Sequence, residues 1–158
     1  MPFLTRLLTP PLLLFFSIAA LAADQPGNDR PAYGETVWRL VQLEGSAVEA
    51  NARGQLPNLR FSAGNWRVSG SGGCNRITGS YEWDRNDNQL RITKMVATRM
   101  ACVSGMGQEQ RFLQALGKVA RERFSSSHKP APDQLELLDA SGAVLMRFEA
   151  GSLVDADD

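Results

Sequence analysis

Two cysteines, Cys74 and Cys102, each stand among side chains suited to holding a turn or an anion. The first stretch reads Ser69-Gly70-Ser71-Gly72-Gly73-Cys74-Asn75-Arg76, and the second Thr98-Arg99-Met100-Ala101-Cys102. In an exported chain an even cysteine count makes a Cys74–Cys102 disulfide the default; two buried free thiols or a metal pair are the alternatives. A bond would set the two Cα atoms roughly 4.4–6.8 Å apart and gather Asn75, Arg76, Thr98 and Arg99 into a binding rim. Two arginines beside a glycine-turned backbone could then receive a carboxylate or a phosphate bidentately. The plainer expectation is that Asn75 caps the turn while the arginines bond local carbonyls or carboxylates, because buried polar clusters at turns usually serve the fold. Gly70, Gly72 and Gly73 are read as turn-forming, supplying angles or close approaches that a Cβ forbids.

Other chemistry finds less support. His128 is the one histidine, set between Ser127 and Lys129-Pro130 in an expected turn, and no G-x-S-x-G elbow accompanies it. Glu82 and Asp84 fall two residues apart on the polar face of a strand, where a solvated pair is the better expectation than a glycosidase pair in a cleft. Gly70-Ser71-Gly72 begins like a dinucleotide fingerprint, but Asn75 occupies the third glycine position and a strand follows instead of a helix. Met95, Met100, Cys102 and Met106 are soft ligands of the kind that hold Cu(I); a disulfide would withdraw Cys102, and methionine packing explains the rest. No catalytic residue, metal or cofactor is expected.

The start of the chain sets the compartment. Met1 to Ala22 carries Arg6, an apolar run from Leu12 to Leu21 and an Ala20-Leu21-Ala22 cleavage pattern, which reads as a secretory signal peptide. Its apolar run is short of the roughly 20 residues a spanning helix needs, and no cysteine stands at the cleavage site to take a lipid. A periplasmic or secreted, unanchored chain is therefore expected. The whole chain holds 17 basic and 17 acidic residues, and Arg6 is the one charge a cleaved leader removes. That balance makes no electrostatic case for nucleic acid or for an anionic membrane. Residues 23–34 read as a flexible leader, 35–150 as one domain and 151–158 as a disordered acidic tail.

Between these limits the pattern is mostly β. Glu35 to Leu43, Leu59 to Ser62, Trp66 to Gly70, Ile77 to Trp83, Leu90 to Thr93, Leu135 to Leu138 and Val144 to Phe148 alternate or run apolar between turn residues. Leu59, Phe61, Trp66 and Val68 are expected to face inward. Val119 to Phe124 fits a strand better than a longer helix. Gln108 to Leu116 predicts the helix, with Gly107 as N-cap, Gly117 in a left-handed C′ position and a buried stripe of Phe112, Leu113 and Leu116. Glu109 is placed on its surface, near the positive end of the dipole. About eight strands and one helix predict a small antiparallel, lipocalin-like, partly open barrel with the helix packed on or across it.

These residues resemble the META-domain (HslJ-like) family. The carrying pieces are Trp38-Arg39-Leu40, Gly73-Cys74-Asn75-Arg76, Gly79-Ser80-Tyr81, Ala97-Thr98-Arg99-Met100-Ala101-Cys102 and the closing Val144-Leu145-Met146-Arg147-Phe148. The resemblance implies a lipocalin-type barrel with one helix and a link to envelope stress and tolerance of toxic compounds. It supplies no agreed catalytic residue. The expected protein is a non-enzymatic, monomeric accessory that binds an envelope protein or an apolar small molecule. An inhibitor of a wall-degrading enzyme is the alternative, and a hydrolase using His128 or Glu82 the third reading.

Overall fold

The computed structural model describes residues 36–84, 86–125 and 133–151. The expected signal peptide, the leader, His128 and the tail beyond Gly151 lie outside them. The strands are β1 (Val37–Leu43), β2 (Ser46–Ala47), β3 (Asn58–Ser62), β4 (Arg67–Ser71), β5 (Arg76–Asp84), β6 (Gln89–Ala97), β7 (Arg121–Ser125), β8 (Gln134–Leu138) and β9 (Val144–Gly151), with one helix, α1 (Met106–Leu116), between β6 and β7. All pairings are antiparallel. They run β2-β1-β3-β4-β5-β6-β7-β8-β9, and β1 pairs again with β9, so the sheet curls back on itself.

Strict alternation produces this shape. Along β5 the side chains of Ile77 and Tyr81 are buried while Arg76, Glu82 and Asp84 are exposed; β3 buries Leu59 and Phe61 in the same way. Inward positions from every long strand meet in one core, where Trp38, Phe61, Tyr81, Phe112 and Phe148 are almost wholly removed from solvent. Burying one such side chain is worth roughly 1.5–3 kcal/mol. A ring also leaves few free strand edges to template aggregation.

The ring has one weak joint. β6 meets β7 through a single register pair, Gln89 with Arg121, whereas β5 and β6 pair from Ile77–Ala97 to Asp84–Gln89. A bulge between Thr78 and Ser80 accompanies a left-handed Lys94, and Gly79 lies beneath Met95 and the Thr93 carbonyl with no room for a Cβ. The barrel is thus partly open at the place where the chain leaves the sheet to form α1.

Four local expectations are corrected. Trp66 does not continue the inward face of β4: it sits in the β3–β4 turn at φ 55°, is 45 % exposed and lays its ring edge-on to Tyr81. The helix begins two residues earlier than expected, at Met106, with Gly105 at φ 86° as its N-cap in place of Gly107. Gly117 is right-handed, not left-handed, because its amide and that of Lys118 bond back to the Leu113 and Ala115 carbonyls. Finally, the buried stripe of α1 is Glu109, Phe112, Ala115 and Leu116, so Glu109 is inside and Leu113 is only half-buried.

Candidate functional site

A polar cluster is built on the β4–β5 turn, where other segments of the chain converge. β4 ends at Ser71, Gly72 to Asn75 turn the backbone, and β5 begins at Arg76. The three glycines have three different reasons. Gly70 lies inside β4, where a Cβ would run into the Asn58 carbonyl of β3, so it serves close strand packing and not the turn. A Cβ on Gly72 would come within 2.5 Å of Glu109 Oε2. Gly73 alone needs the left-handed region, at φ 106°.

Glu109 explains why the turn must be so thin. Its carboxylate enters from the first turn of α1 and is 6 % exposed. Oε2 accepts the backbone N–H of Asn75 at 2.6 Å and of Cys74 at 3.0 Å, and Oε1 accepts Asn75 Nδ2 at 2.6 Å. Two successive backbone amides converging on one oxygen form an anion-binding concavity. Here the anion is a side chain of the same protein. Charge-assisted bonds of this kind are about twice as strong as neutral ones, which offsets the cost of burying the carboxylate.

Asn75 carries the network onward. It is 5 % exposed, and its Oδ1 accepts Met100 N–H at 2.7 Å and Thr98 Oγ1–H at 3.0 Å. Thr98 Oγ1 in turn accepts Arg76 N–H at 3.1 Å, and Arg76 O accepts Thr98 N–H at 3.0 Å. The Cys74–Cys102 disulfide lies alongside, with its Cα atoms 6.0 Å apart. On the other flank Asn51 Nδ2 donates to Gly73 O at 3.0 Å, and Gln108 exchanges two bonds with the backbone of Glu49. The turn, the helix start, the β2–β3 loop and the loop after β6 are thereby one braced assembly.

The four expected rim residues divide in two. Asn75 and Thr98 are spent on the brace. Arg76 and Arg99 are exposed, and among the described residues their guanidinium groups make no hydrogen bond or ion pair. The arginines therefore do not bond local carbonyls or carboxylates. Glu109, the residue that organises the site, was missed by sequence reasoning; its signal was its spacing, three before Phe112 and seven before Leu116, on the stripe that faces the core.

Around this brace the loop from Thr98 to Gly105 turns apolar side chains outward. Val103 is fully exposed, and Val96, Met100 and Met106 are more than half exposed. Met100 and Met106 are thus surface side chains, Met95 is packed half-buried against the core, and Cys102 is no thiolate ligand. Glu82 and Asp84 line an open groove of about 790 Å³ at the β6–β7 joint, where Glu82 stands opposite Arg91 in the ladder.

The interior near that joint holds a second buried carboxyl. Glu122 on β7 is 5 % exposed; its Oε1 accepts Trp83 Nε1–H at 2.8 Å, and its Oε2 has no partner. Burial pushes this carboxyl above the ordinary glutamate value, and the Trp83 bond acts weakly against that. Trp38 Nε1 and the Tyr81 hydroxyl are also buried without partners, and burial pushes the Tyr81 phenol up.

The family model of the META domain matches residues 32–152. The chain belongs to the META-domain family. A protein from Burkholderia xenovorans, known from an NMR structure, is 28 % identical; the match covers 76 % of this chain and 84 % of that one with a TM-score of 0.58. A second NMR structure, 20 % identical over 72 % of this chain and 87 % of its own, shares the fold at a TM-score of 0.53. No curated protein matches significantly. For this META domain, then, family and barrel agree, and the Gly-Cys-Asn-Arg and Thr-Arg-Met-Ala-Cys pieces of the sequence are the two halves of the brace.

Proposed function

We propose that this META-domain protein is a non-enzymatic, exported accessory of the bacterial envelope, tied to envelope stress and tolerance of toxic compounds, and that it works by binding. Its contact surface is the segment from Val96, near the end of β6, through the loop to Met106, the first residue of α1. The observation that carries this reading is the pairing of exposure with rigidity: Val96, Met100, Val103 and Met106 face solvent while the backbone beneath them is held by the disulfide and by Asn75. An apolar set displayed on a braced loop costs solubility, and it is retained where it makes contact. Close packing of Trp38, Phe61, Tyr81, Phe112 and Phe148 favours a surface contact over an apolar ligand in the barrel.

Co-purification from the periplasm after crosslinking tests it. Val103→Asp is expected to abolish recovery of the bound component while leaving the melting temperature unchanged. Undiminished recovery with that variant would rule the loop out. A stapled, protruding loop also favours a second reading, insertion into the cleft of a wall-degrading enzyme; inhibition of lysozyme-type hydrolases by the wild type and not by Val103→Asp is the outcome that reading requires.

A further inference from the structure

The charges around the loop are sorted in a way the neutral chain conceals. On the β7–β9 side Arg123 and Arg147 both bond Glu136, and Arg147 also reaches Gln42, so the charges of these two arginines are compensated. At the braced end, Arg76 and Arg99 flank the loop, Lys94 stands on β6 two residues before Val96, and Arg53 lies in the loop that Asn51 ties to Gly73. All four are exposed, and none makes a side-chain hydrogen bond or ion pair among the described residues. Glu109, the nearby acid, is buried and fully used. Glu49 is the acid left exposed beside them.

Resting on the reading of the loop as a contact surface, we propose that its occupant is the surface of an anionic lipid bilayer. The apolar residues are displayed on a protrusion with Val103 fully exposed, a shape that enters the acyl boundary and does not receive another side chain. The cations sit behind and beside the apolar tip, where they meet lipid phosphates as it enters. Arg76 and Arg99 suit phosphate through their forked donors, and Lys94 and Arg53 add charge. The brace matters because a rigid loop loses little conformational entropy on docking. This is peripheral adsorption; no described helix is long and apolar enough to cross a membrane.

The test is flotation of the purified protein with vesicles of phosphatidylglycerol and phosphatidylethanolamine, against vesicles of phosphatidylcholine alone. The protein is expected to float with the anionic vesicles only and to be released by about 1 M salt, at which the Debye length falls to roughly 3 Å. Val103→Asp and the double variant Arg76→Ala/Arg99→Ala are each expected to weaken binding about tenfold or more. Melting temperature and the intact disulfide mass confirm that both variants fold. Equal flotation with phosphatidylcholine would overturn the role of the cations. No flotation, with a crosslinked protein still lost on Val103→Asp, would overturn the lipid occupant and leave the contact surface standing. No effect of Val103→Asp in either assay would remove both.

Discussion

Glu109 and Glu122 are 6 % and 5 % exposed, one on the helix and one on β7, yet their surroundings differ in kind. Glu109 meets three donors, two of them backbone amides that nothing else in the turn could satisfy. Glu122 meets one indole N–H and leaves an oxygen bare, and burial pushes its carboxyl up. Burial alone therefore says little about what a carboxylate does. At Glu109 the sheet, the helix and the loop all meet on one carboxyl group. At Glu122 the fold tolerates it.

Removing the first carboxylate is the largest break available. Glu109→Ala orphans two buried donors and a half-buried one, at about 1–3 kcal/mol each, so a loss of roughly 4 kcal/mol in denaturant unfolding is expected. Glu109→Gln keeps one acceptor and is expected to lose about half as much. Reducing the Cys74–Cys102 bond comes next. In the chain-entropy model a loop of this size is worth about 3–4 kcal/mol, so urea midpoints with and without reductant should separate clearly.

The glycines sharpen the same region. Gly70→Ala meets backbone that cannot yield and is expected to cost about 3 kcal/mol. Gly72→Ala displaces Glu109 and is expected to cost about 2 kcal/mol, and to become nearly neutral when combined with Glu109→Ala. Gly73→Ala, strained only by its positive φ, is expected to cost about 1 kcal/mol. Equal costs at all three would mean that the turn is merely crowded.

Glu122 gives the smallest effect and the opposite sign. The folded state holds its proton more tightly than the unfolded chain does, so no penalty exists below the ordinary glutamate pKa of 4.5. The penalty appears as pH rises past that value and is complete above the raised folded value. Glu122→Gln is therefore expected to stabilise the protein modestly near pH 7, with the gain fading as pH falls to about 4. Thermal melts of both proteins across that range decide it; a pH-independent difference would mean that packing, not charge, separates them.

Much of the barrel could be read locally because period-two alternation is a property of each strand. Ile77, Gly79, Tyr81 and Trp83 announced one face of β5 without reference to any partner, and the structure keeps them there. Trp66 broke the rule because the β3–β4 turn reverses the chain at that residue in a left-handed conformation, which alternation does not encode. The helix stripe was legible through Phe112 and Leu116. Its acidic member was not, since a glutamate in a first turn is ordinarily a solvated partner of the dipole.

Pattern determined the β-rich class, the one helix of the described residues and the pairing of two cysteines, because these depend on residue types and short spacings; the family came from the resemblance of the Gly-Cys-Asn-Arg and Thr-Arg-Met-Ala-Cys pieces. Tertiary structure alone decided that the anion sought by the glycine turn is the protein's own Glu109, since the donors and the acid lie more than thirty residues apart. It also decided where a neutral chain is basic. Net charge is a sum, whereas the field at a surface depends on which side chains the fold pairs and which it leaves uncovered.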